Sequence, residues 1–216
     1  MTVSSCHIER FLQNVNSHCY DLTSTDFVPP THQSVNFQVA NPTMPANYFH
    51  ILRRQMLRDY RKPLILATPK QGLRHALAVS KREEMAEGTR FRPVLVNSYA
   101  EADEKVDTVI VCSGKVFFDI HGIMKDAGMQ NILVLRLEEL APFPVKDVEA
   151  ALAKVGKNAR TVWLQDEPMN QGCYAFAKMY LERILRNMEF KEKDVSYIGR
   201  KSVQSVATGN VKDHKR

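Results

Sequence analysis

Short β-branched runs alternate with longer helical periodicities over the second half of the chain. Four apolar runs have the length and composition of strands: TVIVC at 108–112, NILVL at 131–135, TVWLQ at 161–165 and VSYI at 195–198. Three segments between them place apolar side chains on one helix face: 116–127, 145–155 and 174–188. The sequence therefore predicts an α/β domain with a mainly parallel sheet covered by helices.

The first half of the chain contains too few elements for a domain of its own. Strands are expected at 35–40 (VNFQVA) and 63–67 (PLILA), with a helix from Pro45, a favoured first helical residue, to about Tyr60. The polar segment 68–95 is typical of a linker. Two strands and one or two helices bury too little apolar surface to fold well alone. We therefore divide the chain into residues 1–95, the end of a larger domain plus a linker, and residues 96–216, a complete α/β domain.

The helix predicted in the first half has two chemically different sides. Its apolar stripe and the residues flanking that stripe are Tyr48, Leu52, Met56, Phe49 and Ile51. Three arginines lie together on the opposite side: Arg54, Arg58 and Arg61. We expect this half to be loosely held and to expose the apolar surface that further strands would cover.

The positive charge of the chain is concentrated in one segment. The formal net charge is +6, and residues 53–92 alone carry eleven Lys or Arg against four Asp or Glu, a net +7. Such a segment attracts nucleic acid, a phosphorylated metabolite or an acidic protein face. The alternative is a solvated helix face with some interface salt bridges. No RNA-binding signature and no recognition-helix pattern accompanies the charge, so we expect no nucleic-acid partner.

The cysteines and histidines lack the sequence spacing that a metal site or a Cys-x-x-Cys motif would need. The four cysteines form no Cys-x-x-Cys pair and indicate free thiols in a reducing compartment, with Cys112 buried and inert. The histidines lack metal-ligand spacing, so we expect no metal site and packed or hydrogen-bonded roles for His50 and His75.

No run approaches the ~18 apolar residues of a membrane span, and no targeting signal precedes Glu9. We expect no membrane partner.

Two polar motifs lie at predicted strand ends. Asp166 and Glu167 are adjacent on a strand and point to opposite sides, which favours a structural or interface role over a catalytic pair. Ser113-Gly114-Lys115 could form a backbone nest for phosphate, but it lacks the Gly-rich spacing of a phosphate loop. We expect a tight turn there, with Lys115 in solvent.

Six blocks of the chain resemble one enzyme family in order and spacing. They are SSCHIERFLQ, NPTMPANYFHILRRQMLRDYRKPLILATPKQGLRHALAVS, VIVCSGKVFFDI, RLEELAPFP, WLQDEPMNQG and VATGN. The family is the decarboxylating first component of the 2-oxoglutarate dehydrogenase complex, a transketolase-like enzyme that uses thiamine diphosphate. The resemblance runs from Ser4 to about His214. It implies the C-terminal part of a longer polypeptide: the end of a pyrimidine-binding α/β domain, followed by a transketolase C-terminal-like domain.

The resemblance also implies what this chain alone can do. The family holds thiamine diphosphate and Mg with a Gly-Asp-Gly motif, which is absent from the sequence. A family His precedes the Ser-Ser pair, whereas Val3 stands here, so Ser4 and Ser5 are a substrate-proximal edge without a complete catalytic set. Catalytic groups must lie within hydrogen-bond reach of the reacting centre, and the cofactor must be held there. We expect neither bound cofactor nor activity in the chain alone.

The intact enzyme implied by the resemblance decarboxylates 2-oxoglutarate in the tricarboxylic acid cycle and transfers succinyl to lipoamide. It would be a homodimer that works with dihydrolipoyl succinyltransferase and dihydrolipoyl dehydrogenase, in the mitochondrial matrix or, in a bacterium, in the cytoplasm. Two alternatives stay open. One is the 2-oxoadipate dehydrogenase of lysine and tryptophan degradation, because SSCHIERFLQ also resembles that branch. The other is a non-catalytic dimerisation or scaffold domain.

One effector site is a further expectation from the resemblance. Some bacterial relatives are activated by acetyl-CoA bound in this part of the enzyme. Arg makes bidentate contacts to phosphate, and Lys supplies a point charge. The candidate anion-binding residues are Arg53, Arg54, Lys70 and Arg74.

Overall fold

The computed structural model describes residues 6–16, 29–102 and 105–204. Its helices are α1 Ile8–Gln13, α2 Pro45–Leu57, α3 Val116–Asp126, α4 Val145–Leu152 and α5 Tyr174–Asn187. Its strands are β1 Gln38–Ala40, β2 Leu64–Leu66, β3 Val94–Ser98, β4 Thr108–Cys112, β5 Ile132–Leu137, β6 Glu139–Ala141, β7 Arg160–Pro168 and β8 Val195–Arg200. Two 3-10 helices cover Lys70–Leu73 and Arg82–Met85. Within these ranges no helix combines the length and the apolar character needed to cross a membrane.

The second half of the chain forms a five-stranded sheet with the order β3-β5-β4-β7-β8. Strand β4 is parallel to β5 and β7, and β7 is parallel to β8. Only the edge strand β3 is antiparallel, to β5. The predicted α/β fold with a mainly parallel sheet is therefore confirmed. Strand β3 is not among the predicted strands, and its first two residues lie in the segment expected to be a linker.

The first half of the chain is joined to the second by strand pairing. Strand β1, helix α2 and the parallel strand β2 form a crossover unit, and β1 also pairs antiparallel with β6 in a three-stranded sheet of order β2-β1-β6. Because β6 follows β5 directly, one continuous segment runs from the larger sheet into the smaller one. The two expected strands of the first half are thus present but short.

The main core draws on both halves. Ile8 and Leu12 of α1 lie in the same buried cluster as Val39 of β1, Trp163 of β7 and Tyr180 of α5. All five side chains are at most 3% exposed. This packing attaches the first half to the main core, and the expectation that this half is loosely held stays a prediction. The later part of the motif SSCHIERFLQ forms helix α1, whose buried side anchors it to the core.

Helix α2 presents its apolar stripe to solvent. The residues it buries are Ala46, Asn47, His50 and Ile51. The apolar side chains that it exposes are Tyr48 (40%), Phe49 (42%), Leu52 (43%), Met56 (75%) and Leu57 (78%). An apolar stripe on a surface helix normally faces the core. Here the inner side combines the buried Ile51, which lies in an apolar cluster with Ala40 and Phe91, with polar contacts. Asn47 Nδ2 donates to the Arg92 carbonyl at 2.9 Å, and His50 Nε2 lies 2.7 Å from the Glu84 carbonyl.

Candidate functional site

Two consecutive carboxylates, Glu138 and Glu139, are buried where β5 passes into β6. Both oxygens of Glu139 lie 3.1 Å from His32 Nε2. The Arg54 guanidinium donates to both as well, with Nη1 3.2 Å from Oε2 and a shorter contact from Nη2 to Oε1. Burial would raise the pKa of Glu139, but the His32 hydrogen bond and the charge of Arg54 outweigh it and hold the pKa below its ordinary value. Glu139 is therefore a buried anion that joins three segments of the chain.

Glu138 lies in a second polar cluster. It accepts the Thr43 backbone N–H at 2.8 Å, a short hydrogen bond from the Thr43 hydroxyl and a hydrogen bond from Asn47 Nδ2 at 3.1 Å. Arg136 Nη1 donates to the same hydroxyl at 3.1 Å, and its guanidinium lies 3.9 Å from the centre of the Phe117 ring. Burial raises the pKa of Glu138 despite these donors. This cluster connects the start of α2 with the end of β5.

Arg53 and Arg54, two of the four predicted anion-binding residues, are already engaged. Besides its ion pair with Glu139, Arg54 donates to Gln38 Oε1 at 3.3 Å, and its guanidinium lies 4.5 Å from the centre of the Phe91 ring. Arg53 donates to the Thr89 carbonyl and lies 5.5 Å from the centre of the Phe49 ring. These contacts attach α2 to the rest of the domain.

Lys70 and Arg74, the other two predicted residues, are exposed around the first 3-10 helix. Neither side chain has a hydrogen bond or ion pair within the part of the chain that the structure describes. The next residue, His75, stacks on Phe118 of α3 with ring centres 4.5 Å apart, which fixes this segment against the second half of the chain. In the described ranges, no hydrogen bond, ion pair or ring contact joins Arg53 or Arg54 to Lys70 or Arg74.

The turn at Ser113-Gly114-Lys115 is confirmed, but the solvated position expected for Lys115 is wrong. Gly114 has φ +76°, and a Cβ there would lie 2.5 Å from Asn41 Nδ2. Lys115 Nζ forms ion pairs with Asp119 at 3.0 Å and with Asp166 at 2.9 Å. Burial would lower the pKa of Lys115, but the hydrogen bonds to the two carboxylates outweigh it and raise the pKa. Asp166 thus ties the end of β7 to the start of α3, in agreement with its expected structural role.

The described residues do not assemble a nucleophile or a metal site. Cys112 is fully buried, as expected, and desolvation raises its pKa to about 12, so the reactive thiolate is disfavoured. Burial also raises the pKa of Cys173. Across residues 6–16, 29–102 and 105–204, no three His, Cys, Asp or Glu side chains are grouped so that they could hold a metal ion. Ser4 and Ser5, the predicted substrate-proximal residues, lie outside the described residues.

Sequence reasoning missed the two buried carboxylate clusters. The expectation of packed or hydrogen-bonded histidines holds for His50 and His75, and the structure adds His32, which is hydrogen-bonded to Glu139. A signal was present in RLEELAPFP, where charges interrupt an otherwise apolar run. Charged side chains within such a run are buried only when they are paired. Their partners, from segments about 85 to 107 residues away in sequence, had no local signature.

Comparisons with known proteins give matches to one enzyme family over nearly the whole chain. Residues 79–216 match the family described as "2-oxoglutarate dehydrogenase C-terminal", and residues 1–75 match "Transketolase, pyrimidine binding domain". A 2-oxoglutarate dehydrogenase E1 component of Brucella anthropi is 42% identical over 188 residues, which are 83% of this chain and 19% of the relative. Those of Brucella ovis and Brucella suis are each 39% identical over 220 residues, covering 98% of this chain and 20% of the relative.

The chain spans about a fifth of the length of the curated relatives that it matches. The two matched segments correspond to parts of the fold described above. Residues 79–216 contain the whole five-stranded sheet, and residues 1–75 contain the β1-α2-β2 unit. The first of these matches covers more than half of the sequence, and the chain therefore belongs to the 2-oxoglutarate dehydrogenase C-terminal family.

Proposed function

We propose that this protein serves as, or within, the E1 component of a 2-oxoglutarate dehydrogenase complex. In this role the enzyme decarboxylates 2-oxoglutarate with thiamine diphosphate and transfers the succinyl group to lipoamide. The observation that carries the proposal is 39–42% identity to E1 components over 83–98% of this chain. The pyrimidine-binding match at residues 1–75 supports dependence on thiamine diphosphate.

The described residues do not fit the metal-linked diphosphate of that cofactor. The sequence has no Gly-Asp-Gly motif, and the described ranges have no group of three potential ligands. We therefore derive no catalytic step for these residues. The contribution that we assign to them is structural. The Glu138 and Glu139 clusters fix α2 and β1, which belong to the segment with the pyrimidine-binding match, against the larger sheet.

The partners and the location are also proposals. An E1 component acts with the other enzymes of its complex, which for this chemistry are a dihydrolipoyl succinyltransferase and a dihydrolipoyl dehydrogenase. We propose a homodimer, in keeping with the family resemblance. The relatives named above are bacterial, which favours the cytoplasmic alternative and gives no support to the mitochondrial matrix. The division of the chain at residues 95 and 96 stays a prediction.

The test is an activity measurement on the native protein. An antibody raised against residues 79–216 would recover the protein from cells that express it, and the immunoprecipitate would be assayed for thiamine-dependent turnover of 2-oxoglutarate and of 2-oxoadipate. We expect higher activity with 2-oxoglutarate. Higher activity with 2-oxoadipate would assign the protein to the alternative branch. A recovered protein with neither activity would favour a scaffold domain and overturn the proposal.

A further inference from the structure

Helix α1 is short, and its attachment to the second half of the chain depends on a few contacts. It has six residues, whereas isolated helices shorter than about 12–15 residues are marginal in water. Its buried side chains Ile8 and Leu12 lie in the same apolar cluster as Cys173 and Phe176 around the start of α5. The helical form of α1 is therefore coupled to its docking.

A hydrogen bond anchors the polar side of α1. Glu9 Oε2 accepts the backbone N–H of Gly172 at 3.1 Å, across 163 positions of the sequence. Gly172 has φ +70°, which favours glycine, and a Cβ there would lie 2.9 Å from Gln165 Oε1. His7, directly before α1, also has a left-handed backbone (φ 49°), which is uncommon for a residue other than glycine. Two unusual backbone conformations thus flank this contact.

The buried amide of Gln165 builds the turn that presents Gly172 to α1. Gln165 Nε2 donates to the carbonyls of Glu167 at 3.3 Å and of Gln171 at 2.7 Å. Gln165 Oε1 accepts the indole N–H of Trp163 at 2.9 Å. The two ends of the turn, Glu167 and Gly172, are thereby held close together beside α1.

The side chain of Glu167 lies among negative charges. Burial raises the pKa of Glu167, and the charges of Asp166 and Glu9 raise it further. The backbone N–H of Glu167 and the Lys115 ammonium oppose this shift, but Lys115 is already paired with two aspartates. Other titratable groups near Glu167 are two thiols and a phenol: Cys6 before α1, Cys173 before α5 and Tyr197 of β8. An ionised Glu167 therefore acts against the carboxylate that holds α1 in place.

We propose that α1 is a pH-sensitive strap, which is docked against the turn at 168–173 while Glu167 is protonated and is released more often once Glu167 is ionised. This device is independent of the proposed function, because it needs neither substrate nor cofactor. It is a local change at the contact between α1 and the carboxyl end of β7, and the five-stranded sheet keeps its structure.

The direction of the pH effect follows from what release does to Glu167. Release exposes its carboxyl and removes Glu9 from its surroundings, so its pKa returns toward the ordinary Glu value of about 4.3. Because the pKa is raised in the docked form, the docked form binds the proton more tightly. The stabilisation is fully present below the ordinary pKa and is lost as the pH rises through the docked-state pKa. Acid therefore favours docking, and a rising pH loosens α1.

The experiment is amide hydrogen exchange of the chain, followed by mass spectrometry from about pH 5 to about pH 8, for the wild type and Glu167→Gln. The variant keeps the size of the side chain but cannot ionise. At each pH the intrinsic exchange rate of residues 8–13 is the same in both proteins, so the ratio of their observed rates reports the release of α1. We expect the ratio of wild type to variant to rise at least ~5-fold over this range, the lower end of typical coupling between linked groups. A ratio that is constant with pH would overturn the proposal.

A second variant and two references keep the test independent of a folding defect. Glu9→Gln retains an oxygen that can accept the Gly172 N–H but removes the charge near Glu167, so its pH dependence should also shrink; an unchanged dependence would contradict the repulsion. Glu192→Gln, an exposed control between α5 and β8, should behave like the wild type. Strand β4 is the internal reference, and exchange that rises equally in α1 and β4 would indicate global unfolding and overturn the strap. No measurement uses enzymatic activity, so this proposal can fail independently of the proposed function.

Discussion

The ion pair between Arg54 and Glu139 makes a quantitative prediction for Glu139→Gln. The glutamine keeps the size of the side chain but removes the charge that pairs with Arg54 and His32. The side chain of Glu139 is 2% exposed and that of Arg54 is 19% exposed, so little water is available to replace the lost contact. Breaking a buried ion pair from one side costs about 3–5 kcal/mol. The partial exposure of Arg54 favours the lower end, and we expect a loss of about 3 kcal/mol.

The assay is thermal and urea unfolding at pH 7. For a chain of this length, 1 kcal/mol corresponds to about 2–4 °C in Tm, so Glu139→Gln should lower Tm by about 6–12 °C. The control is Glu101→Gln, which removes the ion pair with Lys105. That pair is 72% and 61% exposed, and such surface pairs contribute about 0–1 kcal/mol. A loss in Glu139→Gln no greater than in the control would refute the assignment of Glu139 as a buried anion that holds α2.

The pH dependence gives an independent check. Because the folded-state pKa of Glu139 is lowered, its stabilisation is fully present above the pKa of an unfolded Glu, about 4.3, and is lost as the pH falls through the folded pKa. The wild type should therefore lose stability more steeply below about pH 4 than Glu139→Gln does. If the unfolding free energy of both proteins fell equally steeply below about pH 4, the Glu139 carboxylate would not be preferentially charged in the folded state.

Two further predictions concern ligands. We expect acetyl-CoA to contact the exposed Lys70 and Arg74 of the basic segment. By calorimetry, Arg74→Ala should weaken acetyl-CoA binding by roughly 10- to 150-fold, whereas Lys146→Ala, an exposed control on α4, should leave it unchanged. Equal binding by the two variants would show that the segment is only a solvated surface. The chain alone should show no thiamine diphosphate binding with magnesium by calorimetry, because it lacks the Gly-Asp-Gly motif, and one-site binding in the micromolar range would contradict this.

The elements that could be predicted from the sequence are those with strong local periodicity. The runs at 108–112, 131–135, 161–165 and 195–198 overlap with strands β4, β5, β7 and β8. Strands β4, β5 and β7 are largely buried and read as apolar runs, as buried parallel strands do, whereas β8 is a mostly exposed edge strand. Strands β3 and β6 were missed. Strand β3 is an edge strand with a mixed burial pattern, and β6 has three residues and begins with a glutamate. Strands of this kind are determined by pairing partners that local sequence does not reveal.

Helix α2 shows a different limit of sequence reasoning. Its existence and its start at Pro45 are confirmed, and it ends at Leu57 because Arg58 has an extended backbone (ψ 143°). Its apolar stripe was also identified correctly. The direction in which the stripe faces depends on Glu138, Glu139 and the Glu84 carbonyl, which come from distant segments. Periodicity identifies the two sides of a helix, but tertiary contacts decide which side is buried.

The same contacts show what several cations of the segment 53–92, which has a net charge of +7, do in the fold. Its cations differ in what they contact. Arg53 and Arg54 hold α2 in place, and Lys62 Nζ donates to the carbonyls of Gln33 and Val35. Other cations of the segment, including Lys70 and Arg74, are exposed. An arginine that neutralises a buried glutamate cannot release it for a phosphate without the cost of an unpaired buried carboxylate. We therefore expect an anionic ligand to contact the exposed members, and we expect substitution of Arg54 to act first on stability and only indirectly on binding.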